Sequence, residues 1–198
     1  GNTFMMEEKN NNKKTKIFKR LLILFIVILL IFGTINAVWF FGYRIRYIRL
    51  SKNMTQSNIE GLESGGEERY YLEVGDYSIV MKTPAYLGEG GFIAIDRTEG
   101  YVVQYDENGE LVSGDDLLVT LYVWPQYFSG YIVGLMFYDK YNEITEMAEV
   151  DSNLEIVDVD VYDPEDLELI EELMEENMDE INVLINIAEE NLGIDIVN

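Results

Sequence analysis

The sequence contains no cysteine and no histidine. Without cysteine neither a disulfide framework nor a thiolate zinc site can form, and nothing in the composition reports on redox compartment. The lack of histidine removes the commonest general base, the commonest metal ligand and every Ser-His or Cys-His nucleophile pair. Positive charge is scarce over most of the chain. From residue 53 onward there are four basic residues, Arg69, Lys82, Arg97 and Lys140, against 35 of the 37 acids, a net charge of -31. Such a stretch stays soluble, repels nucleic acid and anionic lipid headgroups, and favours cationic partners or ions. No nucleic-acid partner is expected.

The first 52 residues are the opposite: ten of the fourteen Lys and Arg residues, two acids, net +8. Between Arg20 and Arg44 lie 23 uncharged residues, LLILFIVILLIFGTINAVWFFGY. As a helix they extend about 34 Å at ~1.5 Å per residue, enough to cross a hydrocarbon core of roughly 30 Å with some tilt. Trp39, Phe40, Phe41 and Tyr43 at the far end suit the headgroup level. The alternatives are a buried core helix and, a more serious rival, a cleaved signal peptide, with Lys13–Arg20 as its basic region, Leu21–Phe32 as its apolar region and Ile35-Asn36-Ala37 as its cleavage site. The apolar run continues beyond that site into the basic residues Arg44, Arg46 and Arg49, which suits a retained anchor better. Six basic residues precede the span (Lys9, Lys13, Lys14, Lys16, Lys19, Arg20) and four follow it, which favours an inside N-terminus. The expected organisation is a basic cytoplasmic tail (1–20), a transmembrane helix touching lipid (21–43), a juxtamembrane linker (44–68) and an acidic extracytoplasmic domain (69–198). Within the linker, Ser51–Glu68 is polar and aperiodic and reads as a flexible tether, with an r.m.s. span of roughly 23 Å.

From Arg69 the sequence reads as successive short strands rich in Tyr, Val, Ile and Phe: 69–74, 77–83, 92–96, 100–105, 117–124, 131–138, 143–150 and 154–162. Gly75-Asp76 and Asn108-Gly109 are two-residue hairpin signals, because the central positions of the favoured turns need positive φ. Strands 117–124 and 131–138 are apolar on both faces, so they belong centrally under cover. The last strand alternates Val157, Val159 and Val161 with Asp158 and Asp160, so one face meets solvent or a ligand. The period then changes to that of a helix. Asp163 can cap it, Pro164 opens it, Gly193 ends it, and Ile170, Met174, Met178, Ile181, Ile185, Ala188 and Leu192 form one apolar stripe backed by Glu and Asp. The fold class is α+β: an N-terminal transmembrane helix, then a curved antiparallel β-meander packed by one long C-terminal helix.

No catalytic, metal or nucleotide motif emerges, and no enzyme activity or cofactor is expected. An EF-hand counted from Asp158 puts Tyr162 at a ligand position, Asp163 at the obligatory glycine and Leu169 at the final glutamate, so it fails. Gly88-Glu89-Gly90-Gly91 leads into a strand and not into Lys-Ser/Thr and a helix, so it is no phosphate cradle. The aromatic loop Trp124-Pro125-Gln126-Tyr127-Phe128 is either a satellite core or a binding edge. Trp124, Tyr127, Phe128, Asp158 and Asp160 are the candidate binding residues, because aromatic faces beside carboxylates attract a cationic protein. In layout alone the chain is similar to bacterial membrane-anchored immunity proteins, which hold an acidic domain outside the membrane to neutralise a toxin. That likeness implies a non-enzymatic binding domain and transfers no residue. The alternatives are an accessory subunit of a cell-envelope complex and a carboxylate-based carbohydrate-active enzyme.

Overall fold

In the computed structural model one long helix enters a sheet-based domain that is described over residues 2–57, 66–98, 118–138, 145–159 and 164–197; residues 2–14, 138, 145–146 and 164–166 are described by backbone alone. Helix α1 (Asn2–Trp39) continues through a single π-helical turn (Phe40–Arg44) into α2 (Ile45–Leu50) and a short 3-10 turn (Ser51–Asn53). This helix is long and apolar enough to cross a membrane. Its large apolar side chains from Ile17 to Ile35 are exposed.

Eight strands follow: β1 (Thr55–Ser57), β2 (Arg69–Val74), β3 (Tyr77–Lys82), β4 (Phe92–Arg97), β5 (Leu118–Pro125), β6 (Tyr131–Tyr138), β7 (Thr145–Val150) and β8 (Ile156–Val159). They form one open antiparallel sheet in sequence order, the expected meander. Gly75 takes φ +61 in the β2–β3 hairpin, as the turn demands. The candidate strand at 100–105, the Asn108-Gly109 turn and the helix cap at Asp163 lie outside the described residues. β4 and β5 pair directly with each other.

The register sorts the side chains. Across the inner face Leu72, Ile79, Ile95, Leu121, Leu135 and Ala148 lie in one row. Helices α3 (Pro164–Glu176) and α4 (Met178–Leu192) cover that face, α4 over β4 and β5 and α3 over β7. The predicted stripe is what they bury: Ile170, Met174, Ile181, Ile185, Ala188 and Leu192 all join the core. The C-terminal helix is bent at Asn177, which leaves helical geometry at φ -108, ψ 16. Its side-chain amide donates to the Leu173 carbonyl at 2.8 Å, the local competition by which Asn interrupts a helix. Gly193 ends α4 at φ +64. Beyond it Ile194 and Ile196 fold back into the core, while the Glu189 carboxylate accepts the N–H groups of Ile196 and Val197.

Strands β5 and β6 are interior, as expected, but their outer face is closed unevenly: Ala94, Thr120 and Gly134 are buried there, whereas Tyr122 and Trp124 stay half-exposed. Two expectations need correction. The linker 44–68 is ordered in its first part, because residues 44–53 continue the helix and Thr55–Ser57 pair with Arg69–Tyr71 as the sheet's edge. Residues 58–65 lie outside the described set. In β8 a register shift opposite Glu149/Val150 takes up one extra residue, Val157. A bulge reverses the alternation, so Ile156 and Val159 face the core and Val157 is 62% exposed.

Candidate functional site

The densest cluster of polar and aromatic contacts is the joint where the long helix meets the domain. Trp39, Tyr43 and Tyr47 recur every four residues, a spacing that drifts by about 40° per step on an ideal helix. The wider π turn at Phe40–Arg44 offsets that drift and keeps the three rings on one side. All three are buried, Tyr47 completely. Trp39 Nε1 donates to the Gly88 carbonyl at 3.1 Å and Tyr43 Oη to that of Glu89 at 2.8 Å, while the Tyr43 and Tyr47 hydroxyls lie 3.2 Å apart. The close approach explains one glycine of the 84–91 loop, Gly91. A Cβ on Gly91 would lie 2.7 Å from Tyr47 Cζ and 2.8 Å from Pro84 Cδ.

Two of the three arginines after the span, Arg44 and Arg46, are also spent on the domain. Arg44 donates to the Gly66 and Pro84 carbonyls, pairs with Glu68 at 3.4 Å and lies over the Trp39 ring. Arg46 donates to the Gln126 and Gly130 carbonyls and sits 4.6 Å from the centre of the Tyr131 ring. It thereby closes both ends of the loop that follows β5.

That loop carries two of the predicted binding residues, and the joint absorbs both. Tyr127 stacks on Tyr43 at 4.8 Å and 14°. Burial, with a smaller contribution from the Glu89 carboxylate, pushes its phenol above the usual range, so it stays protonated and acts as packing surface. Phe128 lies against Gly42, whose carbonyl accepts the Phe128 N–H at 2.6 Å. Its backbone is left-handed, at φ +64, and its ring is 70% exposed.

Trp124 belongs to a different surface. It points to the outer face of the sheet, stacks on Tyr122 at 5.4 Å, and occupies the space over Gly134 that a Cβ would fill. Phe92 meets Tyr122 edge-on, extending this half-buried aromatic row. Asp158 shares the outer face but lies in the edge strand β8, three strands from β5, opposite Glu149. It is exposed, and its carboxylate accepts the Val159 N–H at 3.0 Å. Asp160 lies outside the described residues. The four described candidates therefore do not come together: Tyr127 and Phe128 join the helix, Trp124 the outer aromatic row, and Asp158 a solvated edge.

Sequence reasoning missed the docking role of Trp39, Tyr43, Tyr47, Arg44 and Arg46. The signal was present as the four-residue aromatic spacing, which runs past the end of the apolar span. Of the four aromatics expected at the headgroup level, Trp39 and Tyr43 turn into the domain, and Phe40 and Phe41 remain exposed.

A third surface is rich in acid. The outward sides of α3 and α4 expose Glu168, Glu171, Glu172, Glu175, Glu176, Asp179 and Glu190, and no Lys or Arg occurs after Lys140. Besides Arg44 with Glu68, ion pairs among the described residues join Lys82 to Glu67 at 3.0 Å and Arg97 to Glu180 at 2.7 Å. Among the described residues no group of three acidic side chains is arranged to hold a metal ion. In comparisons with known proteins, no family model, no curated sequence and no solved structure matches this chain.

Proposed function

We propose that this protein is a single-pass membrane protein whose acidic domain, held on the outer side of the membrane, binds a cationic protein partner without catalysing a reaction. The observation that carries the reading is the acidic face of α3 and α4. Among the described residues seven carboxylates stand exposed on two consecutive helices, far outnumbering the basic residues available to pair with them. Like charges held together lower the stability of the fold, so packing alone gives no reason to keep them. A partner rich in Lys and Arg relieves that repulsion and is steered in from a distance. Toxin neutralisation by a membrane-anchored immunity protein is the form of this function that the layout suits.

The test is affinity capture from membranes of the source organism with the full-length protein, followed by association kinetics at low and high ionic strength. A basic partner whose association rate falls steeply with salt, and falls again when Glu171, Glu172, Glu175 and Glu176 are changed to Gln, supports the reading. Salt-insensitive capture of a neutral partner refutes it. Orientation is tested separately, by labelling a cysteine introduced at Ser64 with an impermeant reagent on intact cells; labelling only after lysis overturns the outside placement. A second reading, an accessory subunit contacting its complex through the span, draws on Gly33, which has open space where a side chain would be. A toxin-like gene beside this one favours immunity, and a transporter or division operon favours the subunit.

A further inference from the structure

The two loops that grip the long helix reach past the level where its apolar run ends. Tyr86 donates from its hydroxyl to the Asn36 side chain and sets its ring edge-on to Trp39 at 5.5 Å. Asn36 lies seven residues before Tyr43, about 10 Å further along the axis toward the lipid. Tyr86 is nevertheless 55% exposed and its neighbour Leu87 is 40% exposed, while Phe128 on the other loop is 70% exposed beside Gly42. Leu87 and Phe128 hold their side chains outward from left-handed backbone, at φ +56 and +64, a conformation that bulky residues rarely adopt. Neither loop swings free, because Trp39 and Tyr43 hold the carbonyls of Gly88 and Glu89, and Arg46 those of Gln126 and Gly130. The backbone of the first loop's acid, Glu89, is fixed at the height of Tyr43, the last residue of the apolar run.

We propose that Tyr86, Leu87 and Phe128, together with the exposed Phe41 of the helix, form a collar inserted in the interfacial layer of the lipid bilayer, seating the domain on the membrane surface. The inference rests on the span reading: if the helix crosses a bilayer with its boundary near Tyr43, the loop tips bonded beside Asn36 and Gly42 lie at or below the headgroups. Tyr is one of the amphipathic aromatics that this layer stabilises, and Phe and Leu are the apolar side chains that interfacial segments bury at the boundary with the acyl chains. The acidic face of α3 and α4 is then presented at a set orientation and does not wander on a tether.

The natural absence of cysteine makes the test direct. Single cysteines at Ile28, Leu87, Phe128 and Val157 are labelled with an environment-sensitive dye in the full-length protein, which is reconstituted in phosphatidylcholine vesicles. Quenching is read with lipids bearing a nitroxide either high on the acyl chain or near its end. The expected result is a blue-shifted emission at 87 and 128 that is lost with the shallow quencher, loss with the deep quencher at 28, and no loss at 157. If position 28 is quenched while 87 and 128 behave like 157, the span stands and the collar is wrong. If 87 and 128 are blue-shifted but unquenched by either lipid, a protein surface covers them and the lipid assignment is overturned. If position 28 is not quenched, the span reading itself fails and the collar falls with it.

Discussion

Truncating Tyr47 to alanine should unseat the helix from the domain. The ring is fully buried, packs against Gly91 so closely that a Cβ there would lie 2.7 Å from Tyr47 Cζ, and stands edge-on to Tyr43 at 5.4 Å. Large-to-small replacement of a buried aromatic costs about 3–5 kcal/mol, as lost transfer energy plus the cavity left behind. The hydroxyl adds little, because Tyr43 Oη keeps the Glu89 carbonyl at 2.8 Å after truncation and no buried donor is orphaned. Tyr47→Phe should therefore cost about 1 kcal/mol or less, and Tyr47→Ala, at about 3–5 kcal/mol, a fifth or more of the roughly 5–15 kcal/mol of an ordinary domain. The assay is equilibrium urea unfolding of the full-length protein in detergent micelles. Tryptophan emission reports both ends of the structure, Trp39 at the joint and Trp124 in the sheet, and Trp39→Phe separates them. An unchanged midpoint for Tyr47→Ala, with an unchanged slope, would refute the packed joint and restore a freely tethered domain.

Ile181→Asp places a carboxylate in the centre of the α4 core contact, where its parent is fully buried; a loss of several kcal/mol should unfold the domain, and an unaltered melting curve would mean that the stripe faces solvent. Gly134→Val sets a Cβ 2.7 Å from Trp124 Cζ3, which should cost about 1–3 kcal/mol by overpacking and shift the Trp124 emission; native emission with native stability would contradict the stacked outer row. Asp151 accepts the N–H groups of Asn153 and Glu155 at 2.8 and 2.9 Å, and the Glu155 bond, then the Asn153 bond, hold its carboxyl below the usual range. A depressed folded value means that its contribution is present above the unfolded value of about 3.9 and is lost as pH falls through the folded one. An NMR titration midpoint for Asp151 at or above the ordinary carboxylate value would dissolve that turn.

Local chemistry made much of this fold readable. Alternation of apolar residues located the strands, Gly75 marked a hairpin that needs positive φ, and the stripe from Ile170 to Leu192 foretold which side of α3 and α4 is buried. The 23 uncharged residues before Arg44 announced a helix able to span a membrane. These features depend on neighbours within a turn or a strand, so a one-dimensional pattern holds them. The bulge at Val157 and the break at Asn177 do not, because each is a compromise between local preference and a register or packing surface set by distant residues.

The candidate site divides along the same line. The acidic character of the domain is a property of composition and follows from the sequence by itself. Whether Tyr127 and Phe128 face a partner or a helix 80 residues earlier in the chain was decided only when Arg46 met the carbonyls of Gln126 and Gly130. Tyr43 and Tyr47 carried the spacing of a docking stripe, but aromatics at the end of an apolar run read equally well as lipid anchors. The sequence by itself determined that there is a long apolar helix, an antiparallel meander, a helical cover and an acid-rich surface. The tertiary structure alone decided that helix and domain are one packed body, because that depends on which rings find glycine-sized gaps across the fold.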